Sequence, residues 1–96
     1  MSQLTVVAKV IARKDSVERV RPELLKLIAP TRQESGCIEY NLHQDNEDPA
    51  LFIFCETWES PAALEKHMRS DHFKAYINAV DGLIEEKAVH KMTRIE

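Results

Sequence analysis

"CIEYNLHQDNEDPALFIFCETW", residues 37–58, decides the fold of this 96-residue chain. Two runs rich in β-branched and aromatic residues, at 37–44 and 51–58, enclose the polar segment 45–50, which contains an Asp-Pro pair that favours a turn. Such runs on both sides of a turn signal predict a β-hairpin. Because side chains alternate along a strand, the hairpin has two faces with different side chains.

A pairing in which partner numbers sum to about 95 sets which side chains share a face. One face then carries Ile38, Tyr40, Leu42, Leu51, Ile53, Cys55 and Thr57. The other carries Cys37, Glu39, Asn41, His43, Phe52, Phe54, Glu56 and Trp58. Cys37 lies opposite Trp58 and Cys55 opposite Tyr40 in this register, so both cysteines are expected to be free thiols. A shift of one residue would reassign these partners.

The residues before the hairpin predict one strand and one helix. "LTVVAKVIA" at 4–12 is rich in β-branched residues and is typical of a strand. Asp15 begins a segment that resembles a capping box, and apolar residues then recur at helical spacing as far as Gly36. Pro22 and Pro30 fall inside this pattern and predict a kink or a loose first turn.

The residues after the hairpin predict a second helical segment and a last strand. The Ser60-Pro61 pair is typical of a helix start, and the helical pattern runs to Gly82 with a break expected at Ser70-Asp71. "EKAVHKMTRI" at 86–95 predicts the final strand. The order β-α-β-β-α-β is that of the ferredoxin-like α+β fold, an antiparallel sheet with helices on one face. We expect a single domain over 1–96.

Three aromatic residues indicate a possible interface. Phe52, Phe54 and Trp58 are expected on the sheet face that the helices leave open, where a monomer would expose them. An exposed aromatic patch usually marks an interaction surface. We therefore expect a homodimer that pairs sheet against sheet.

Composition narrows the classes of partner and compartment. The 44% hydrophobic and 30% charged residues fit a globular protein, and the basic residues are scattered in a chain of net charge −3, which argues against nucleic-acid binding. The longest apolar run, "LFIF" at 51–54, is too short to cross a membrane, and the N-terminus lacks the pattern of a signal peptide. A cytoplasmic protein is expected.

The four histidines differ in what they can do. His67 follows an inward helical face, titrates near cellular pH, and has Asp71 four residues on to orient it; a hydrogen-bonded histidine at the edge of the core is the alternative. His72 would project about 140° away from His67 on a continuous helix, so the two are not expected to form a metal pair. His43 and His90 lie on separate strands. No metal site is expected.

Trp58 ends a strand beside the start of a helix. It either closes the core as a large hydrophobe or offers its indole N–H to a substrate oxygen, and Tyr40 and Tyr76 allow the same two readings. The chain has none of the glycine-rich, nucleophile-elbow or zinc-binding motifs. Any reaction is therefore expected to proceed without a nucleotide or flavin bound through those motifs.

Two segments resemble a known family. "APTRQESGCIEYNLHQD" at 29–45 and "FCETWESPAALEKHMRSDHFKAY" at 54–76 are similar to the antibiotic-biosynthesis monooxygenases, in their small quinol-monooxygenase-like branch. The most specific parts are G-C-x-x-Y at 36–40, E-x-W at 56–58 and the segment from His67 to Phe73. The resemblance implies a ferredoxin-like dimer whose paired sheets form a barrel-like core.

The resemblance also implies an activity, the oxidation of a quinol-like or polycyclic phenol by O2 without a cofactor. Such a reaction needs an apolar pocket, a proton acceptor and donors for a developing oxyanion. We therefore predict His67 as the base and Trp58 and Asn41 as donors. The predicted substrate-binding residues are Tyr40, Phe54, Phe73, Tyr76 and His72.

Other branches fit less well. Haem-degrading members have an axial histidine where this chain has Ile77, a tryptophan where it has His67 and an asparagine that aligns with Ala8, so haem degradation is not expected. A branch of sugar-phosphate isomerases would need converging cations, and the sequence offers Lys9, Arg32 and Arg69 without placing them together. A dimer that binds a small ligand or serves in a stress response without turnover is a third possibility.

Overall fold

The computed structural model describes residues 3–96. Its elements are β1 (Leu4–Ala12), α1 (Val17–Lys26), α2 (Ile28–Arg32), β2 (Cys37–Gln44), β3 (Leu51–Trp58), α3 (Pro61–Met68), α4 (Asp71–Ala79) and β4 (Ile84–Met92). The strands form an antiparallel sheet in the order β2-β3-β1-β4. Helices cover one face of this sheet, which confirms the predicted ferredoxin-like α+β fold.

The first helical region differs in detail from the prediction. Ser16, and not Asp15, is the N-cap of α1, and its side chain donates to the Asp15 carboxylate instead of capping the helix. The expected interruption is present, because the helical path breaks at Leu27 into α1 and α2. Gly36 does not end a helix: a Cβ at this position would collide with the Cβ of Ala63, so glycine allows the close approach of α3.

Two serines define the second helical region as predicted. The Ser60 hydroxyl accepts a hydrogen bond from the Ala63 N–H at 3.2 Å, which caps α3. The Ser70 hydroxyl accepts from the Phe73 N–H at 3.3 Å and donates to the His67 carbonyl at 2.6 Å. Ser70 therefore ends one helix and starts the next, and the direction of the chain changes between α3 and α4.

The register of the hairpin corrects the predicted assignment of faces. Cys37 pairs with Trp58 as expected, but an irregularity before Glu39 shifts the rest of β2 by one residue, so that Tyr40 pairs with Glu56. Because a shift of one residue changes which side chains of two paired strands share a face, Tyr40 lies on the same face as Phe54 and Glu56 and not with Cys55. Tyr40 and Asn41 keep their predicted faces, helix-covered and open respectively, and the faces of β3 are the ones exchanged.

The aromatic side chains of β3 lie on the opposite face from the one expected. Phe52, Phe54 and Trp58 are 1%, 4% and 0% exposed and form the centre of the core beneath the helices. The prediction that they form an exposed aromatic patch is wrong. The open face instead carries smaller side chains, which include Val7, Ile11, Leu51, Ile53, Cys55 and Ala88.

No helix within residues 3–96 has the length and apolar character needed to span a membrane.

Candidate active site

A cavity of about 620 Å³ lies between the helices and the helix-covered face of the sheet. Four of the five predicted substrate-binding residues line it: Tyr40, Phe54, Phe73 and Tyr76. The apolar side chains of Met68, Ile77 and Val89 are each more than 40% exposed and also line it, so the cavity opens to solvent beside α4 and β4. The cavity suits a planar, apolar ligand, because most of its wall is aromatic or aliphatic.

His67 lies in the last turn of α3 and is only 2% exposed. Its ring lies 4.8 Å from the Trp58 ring and 5.1 Å from the Phe73 ring, measured between centroids, and it lines the cavity. The structure thus brings His67 and Trp58 into contact beside an apolar space. The imidazole of His67 therefore lies at the cavity wall, where it could contact a polar group of a bound substrate.

Glu34, in the loop before β2, orients this imidazole. The His67 Nδ1 atom lies 2.7 Å from Glu34 Oε2. A carboxylate only accepts hydrogen bonds, so Nδ1 carries the proton and Nε2 is left as the acceptor. Asp71, the residue predicted for this task, is exposed in the first turn of α4, and the prediction that it orients His67 is wrong because the helix breaks between them.

His72 binds the same carboxylate from the other side. Its Nε2 atom lies 2.7 Å from Glu34 Oε2, and His72 does not line the cavity. The expectation that His67 and His72 diverge assumed a continuous helix. The break at Ser70 turns α4, and the two imidazole centroids lie 5.9 Å apart.

Glu34, His67 and His72 are therefore the one group of described residues with ligand atoms close enough for a metal, all within 4.8 Å of one another. The geometry is that of a hydrogen-bonded cluster. Both imidazole nitrogens point to a single carboxylate oxygen at 2.7 Å, so this oxygen occupies the space between them. A metal ion would need the Glu34 side chain to move away first.

Burial lowers the pKa of His67 below 6.5, because the charged imidazolium loses its hydration. The hydrogen bond and the charge of Glu34 oppose this shift, and His72 adds to it. Burial is the largest cause, so His67 is neutral at pH 7. A neutral imidazole with a free Nε2 atom can accept a proton.

Trp58 does not offer its N–H to the cavity. The indole Nε1–H donates to Glu56 Oε1 at 2.8 Å, and both side chains are buried. Burial raises the pKa of Glu56 to about 7, while the Trp58 hydrogen bond lowers it and the charge of Glu34 raises it. Glu56 lines the cavity, so a carboxyl with a pKa of about 7, which is about half protonated at neutral pH, faces the same space as His67.

Asn41, the second predicted donor, is not brought to this cavity. It is exposed on the open face, where its Oδ1 atom accepts from Arg32 Nη2 at 3.1 Å. Arg32 also donates to the Tyr40 carbonyl at 3.1 and 2.9 Å, which fixes α2 to the edge strand β2. Lys9 pairs with Glu86 at 2.8 Å. The cations considered for a phosphate do not converge.

The comparison with known families fits this site. The sequence model of the family described as Antibiotic biosynthesis monooxygenase matches residues 3–79. The chain belongs to this family. Membership supports a monooxygenase.

Individual relatives agree with this assignment. The protein sll1783 of Synechocystis is 27% identical over 92 residues, or 96% of this chain, and the chain spans only 63% of that relative's length. "Probable quinol monooxygenase YgiN" of Escherichia coli is 33% identical over 89 residues, with 82% of this chain and 86% of that protein covered. The crystal structure of PA3566 from Pseudomonas aeruginosa superposes with a TM-score of 0.95 at 34% identity, covering 100% of this chain and 97% of the other.

Two residues of this site, Glu34 and Glu56, were not predicted from the sequence. Glu56 had a signal, since a carboxylate occupied an alternating row with Phe52, Phe54 and Trp58. A charge on an otherwise apolar face is a sign of a functional or specially paired group. Glu34 had no such signal, because its partners are more than thirty residues away along the chain.

Proposed function

We propose that this chain is a monooxygenase that oxidises quinol-like or polycyclic phenolic substrates with O2, without a metal or flavin. The observation that carries the proposal is His67, a buried neutral imidazole oriented by Glu34 at the wall of an aromatic cavity. Family membership and the name of YgiN support the reaction and the substrate class. Because one fold can support several different reactions, the proposal rests on the residues of the site and not on the fold.

The first step is proton removal. His67 Nε2 takes the proton of the phenolic oxygen, and Glu34 stabilises the imidazolium through its hydrogen bond to Nδ1–H. The deprotonated ring is electron-rich and can pass an electron to O2. The two radicals then join through a new carbon–oxygen bond, and the proton held by His67 neutralises the resulting peroxide.

The oxidation balances without a further reactant. Cleavage of the O–O bond leaves one oxygen atom on the ring carbon as a carbonyl, and the other leaves as water with two hydrogens from the substrate. The substrate therefore supplies both electrons for the second oxygen atom. The protein contributes a base and a cavity with mostly apolar walls.

The aromatic walls position the substrate. Tyr40 and Phe54 stack at 4.8 Å between centroids, and Phe73 lies 5.8 Å from Tyr76. Burial raises the pKa of Tyr76 to about 12, so its phenol stays protonated and can donate a hydrogen bond. These rings form flat surfaces for a polycyclic substrate.

The substrate and the oxygen chemistry are tested by oxygen uptake with a panel of reduced quinones, using protein shown to be free of metal and flavin. His67→Ala should slow uptake by about 100-fold or more, the usual contribution of a general base. His90→Ala, at an exposed position of β4, is the matched control. An unchanged rate in folded His67→Ala would overturn its role as the base. Ligand binding without uptake would favour the non-catalytic reading.

We also propose that the protein works as a homodimer. The half-buried apolar residues Val7, Ile11, Leu51 and Ile53 lie on the open sheet face, where a second copy would cover them. These aliphatic side chains occupy the face on which aromatic side chains were predicted. Light scattering should give twice the mass of one chain, and Ile53→Lys should lower it; a monomeric mass at all concentrations would contradict the proposal.

A further inference from the structure

Glu56 is a buried carboxyl that the mechanism above leaves unused. It lies on β3 in the row of Phe52, Phe54 and Trp58, lines the cavity, and is only 6% exposed. Its Oε1 atom accepts from Trp58, whereas its Oε2 atom has no hydrogen-bond partner within residues 3–96. Oε2 is not fully enclosed, because Thr31 Oγ1 is the one fully enclosed side-chain polar atom of residues 3–96 that lacks a partner, so Oε2 can reach a ligand in the cavity.

The carboxyl is linked to the base through one side chain. Trp58 donates its N–H to Glu56 at 2.8 Å and packs its ring against His67 at 4.8 Å. Both Glu56 and His67 line the cavity, so a ligand can meet both. The indole holds each of them in place, because it is fully buried.

The surroundings of Glu56 favour its neutral form. The titratable groups that act on it or are affected by it are Glu34, Cys37 and Tyr40, and none is a Lys or Arg. Burial without a cation raises the pKa of the carboxyl to about 7. The cavity therefore holds a proton donor and a proton acceptor at the same pH, the arrangement that separates acid and base roles.

We propose that Glu56 is a general acid that works opposite His67, and that the cavity thereby enolises a cyclic ketone that is the keto form of a phenol. The proposal rests on the proposed function, since the enol is the electron-rich species that would react with O2. It adds a catalytic residue and a substrate class. It also adds an activity that needs no oxygen.

The step balances in protons and electrons. His67 Nε2 takes a proton from the carbon next to the carbonyl, and the electron pair of that C–H bond forms the C=C bond of the enol. The carbonyl oxygen takes the proton of Glu56 and becomes a hydroxyl. The reverse step returns a proton to carbon and restores both residues, so no oxidant or reductant is consumed.

The test is deuterium exchange under nitrogen. With 2-tetralone in D2O as a stable stand-in for the keto form of a phenol, wild-type protein should exchange the hydrogens next to the carbonyl faster than buffer does, as followed by NMR. Glu56→Gln keeps an oxygen that accepts from Trp58 but has no acidic proton, and it should slow the exchange by about 100-fold. Glu39→Gln removes an exposed carboxyl on the open face and serves as the control.

The outcomes separate this proposal from the proposed function. A wild-type protein that leaves exchange at the buffer rate overturns the proposal, whatever its oxygen uptake. Wild-type exchange without oxygen uptake from any reduced quinone overturns the proposed function and leaves the enolisation standing. Equal exchange in wild type and folded Glu56→Gln overturns the role of Glu56.

An infrared measurement gives a readout without turnover. Wild-type protein at pH 6 should show the carbonyl band of a protonated carboxyl, and this band should be absent in Glu56→Gln and present in Glu39→Gln. If the band were unchanged in Glu56→Gln, Glu56 would not be the proton donor. The same experiment shows whether the variant is folded, through the amide bands.

Discussion

Two carboxyl groups, those of half-buried Glu34 and buried Glu56, flank the contact between His67 and Trp58, and their surroundings differ. Glu34 accepts from two imidazole nitrogens at 2.7 Å on one oxygen. Glu56 accepts from one indole N–H at 2.8 Å and otherwise faces an apolar cavity. The carboxyl groups of Glu34 and Glu56 therefore favour different protonation states, because the number and type of the hydrogen-bond donors around them differ.

The difference shows how a small domain can hold an acid and a base close together. Glu34 keeps the His67 ring in one tautomer and favours its charged form. Glu56 has only a neutral donor, so burial dominates and its proton is retained to about pH 7. Removing the two carboxylates should therefore change the free energy of unfolding in opposite directions.

The largest expected effect is the pH dependence of stability in Glu56→Gln. The pKa of Glu56 is about 7 in the folded protein against an ordinary value of 4.5, so between these values the folded state holds a proton that the unfolded state has lost. Wild-type stability from this group is fully present below pH 4.5 and is lost as the pH rises through 7. The neutral amide of Glu56→Gln does not undergo this loss. The free energy of unfolding of the variant, relative to that of wild type, should therefore rise by roughly 3 kcal/mol between pH 4 and 8.

Urea unfolding of both proteins across this pH range measures the gain. Glu39→Gln corrects for the removal of one negative charge elsewhere on the sheet. The same trend in both variants would show that net charge, and not the burial of Glu56, is responsible.

A smaller effect of opposite sign is expected for Glu34→Gln. A neutral amide oxygen is a weaker acceptor than a carboxylate, and the buried His67 N–H loses a charge-assisted hydrogen bond. The variant should be destabilised by about 1.5–3 kcal/mol at pH 7, measured by urea unfolding. Glu23→Gln, which loses an exposed contact to Lys26, is the control. A more stable Glu34→Gln would remove the distinction between the two carboxylates.

The order of elements was predictable because its signals are local. The Ser60-Pro61 start and the break at Ser70 follow from capping chemistry that a short segment determines, and the structure confirms both. The apolar runs on each side of the 45–50 loop likewise indicated the hairpin. These features need no knowledge of distant partners.

The faces of the sheet were not predictable in the same way. A single irregularity before Glu39 shifts the register of β2, and one residue is enough to place Phe54 and Glu56 on the face of Tyr40, inside the core and not on the open face. The choice of partner for His67 depended on the turn between α3 and α4, so Asp71 was expected where Glu34 is found. Tertiary geometry decides such contacts.

The smallest expected effect concerns His72 and can be read from Trp58, the only tryptophan in the chain. The Trp58 ring lies against His67, so its fluorescence should change when His67 takes up a proton as the pH falls. His72 contributes to lowering the pKa of His67, so His72→Gln should move the midpoint of this change to a higher pH. The titration belongs in a Glu56→Gln background, because Trp58 also reports on Glu56. His90→Gln is the control, and a midpoint that moves equally there, or downwards in His72→Gln, would show that His72 does not lower the pKa of His67.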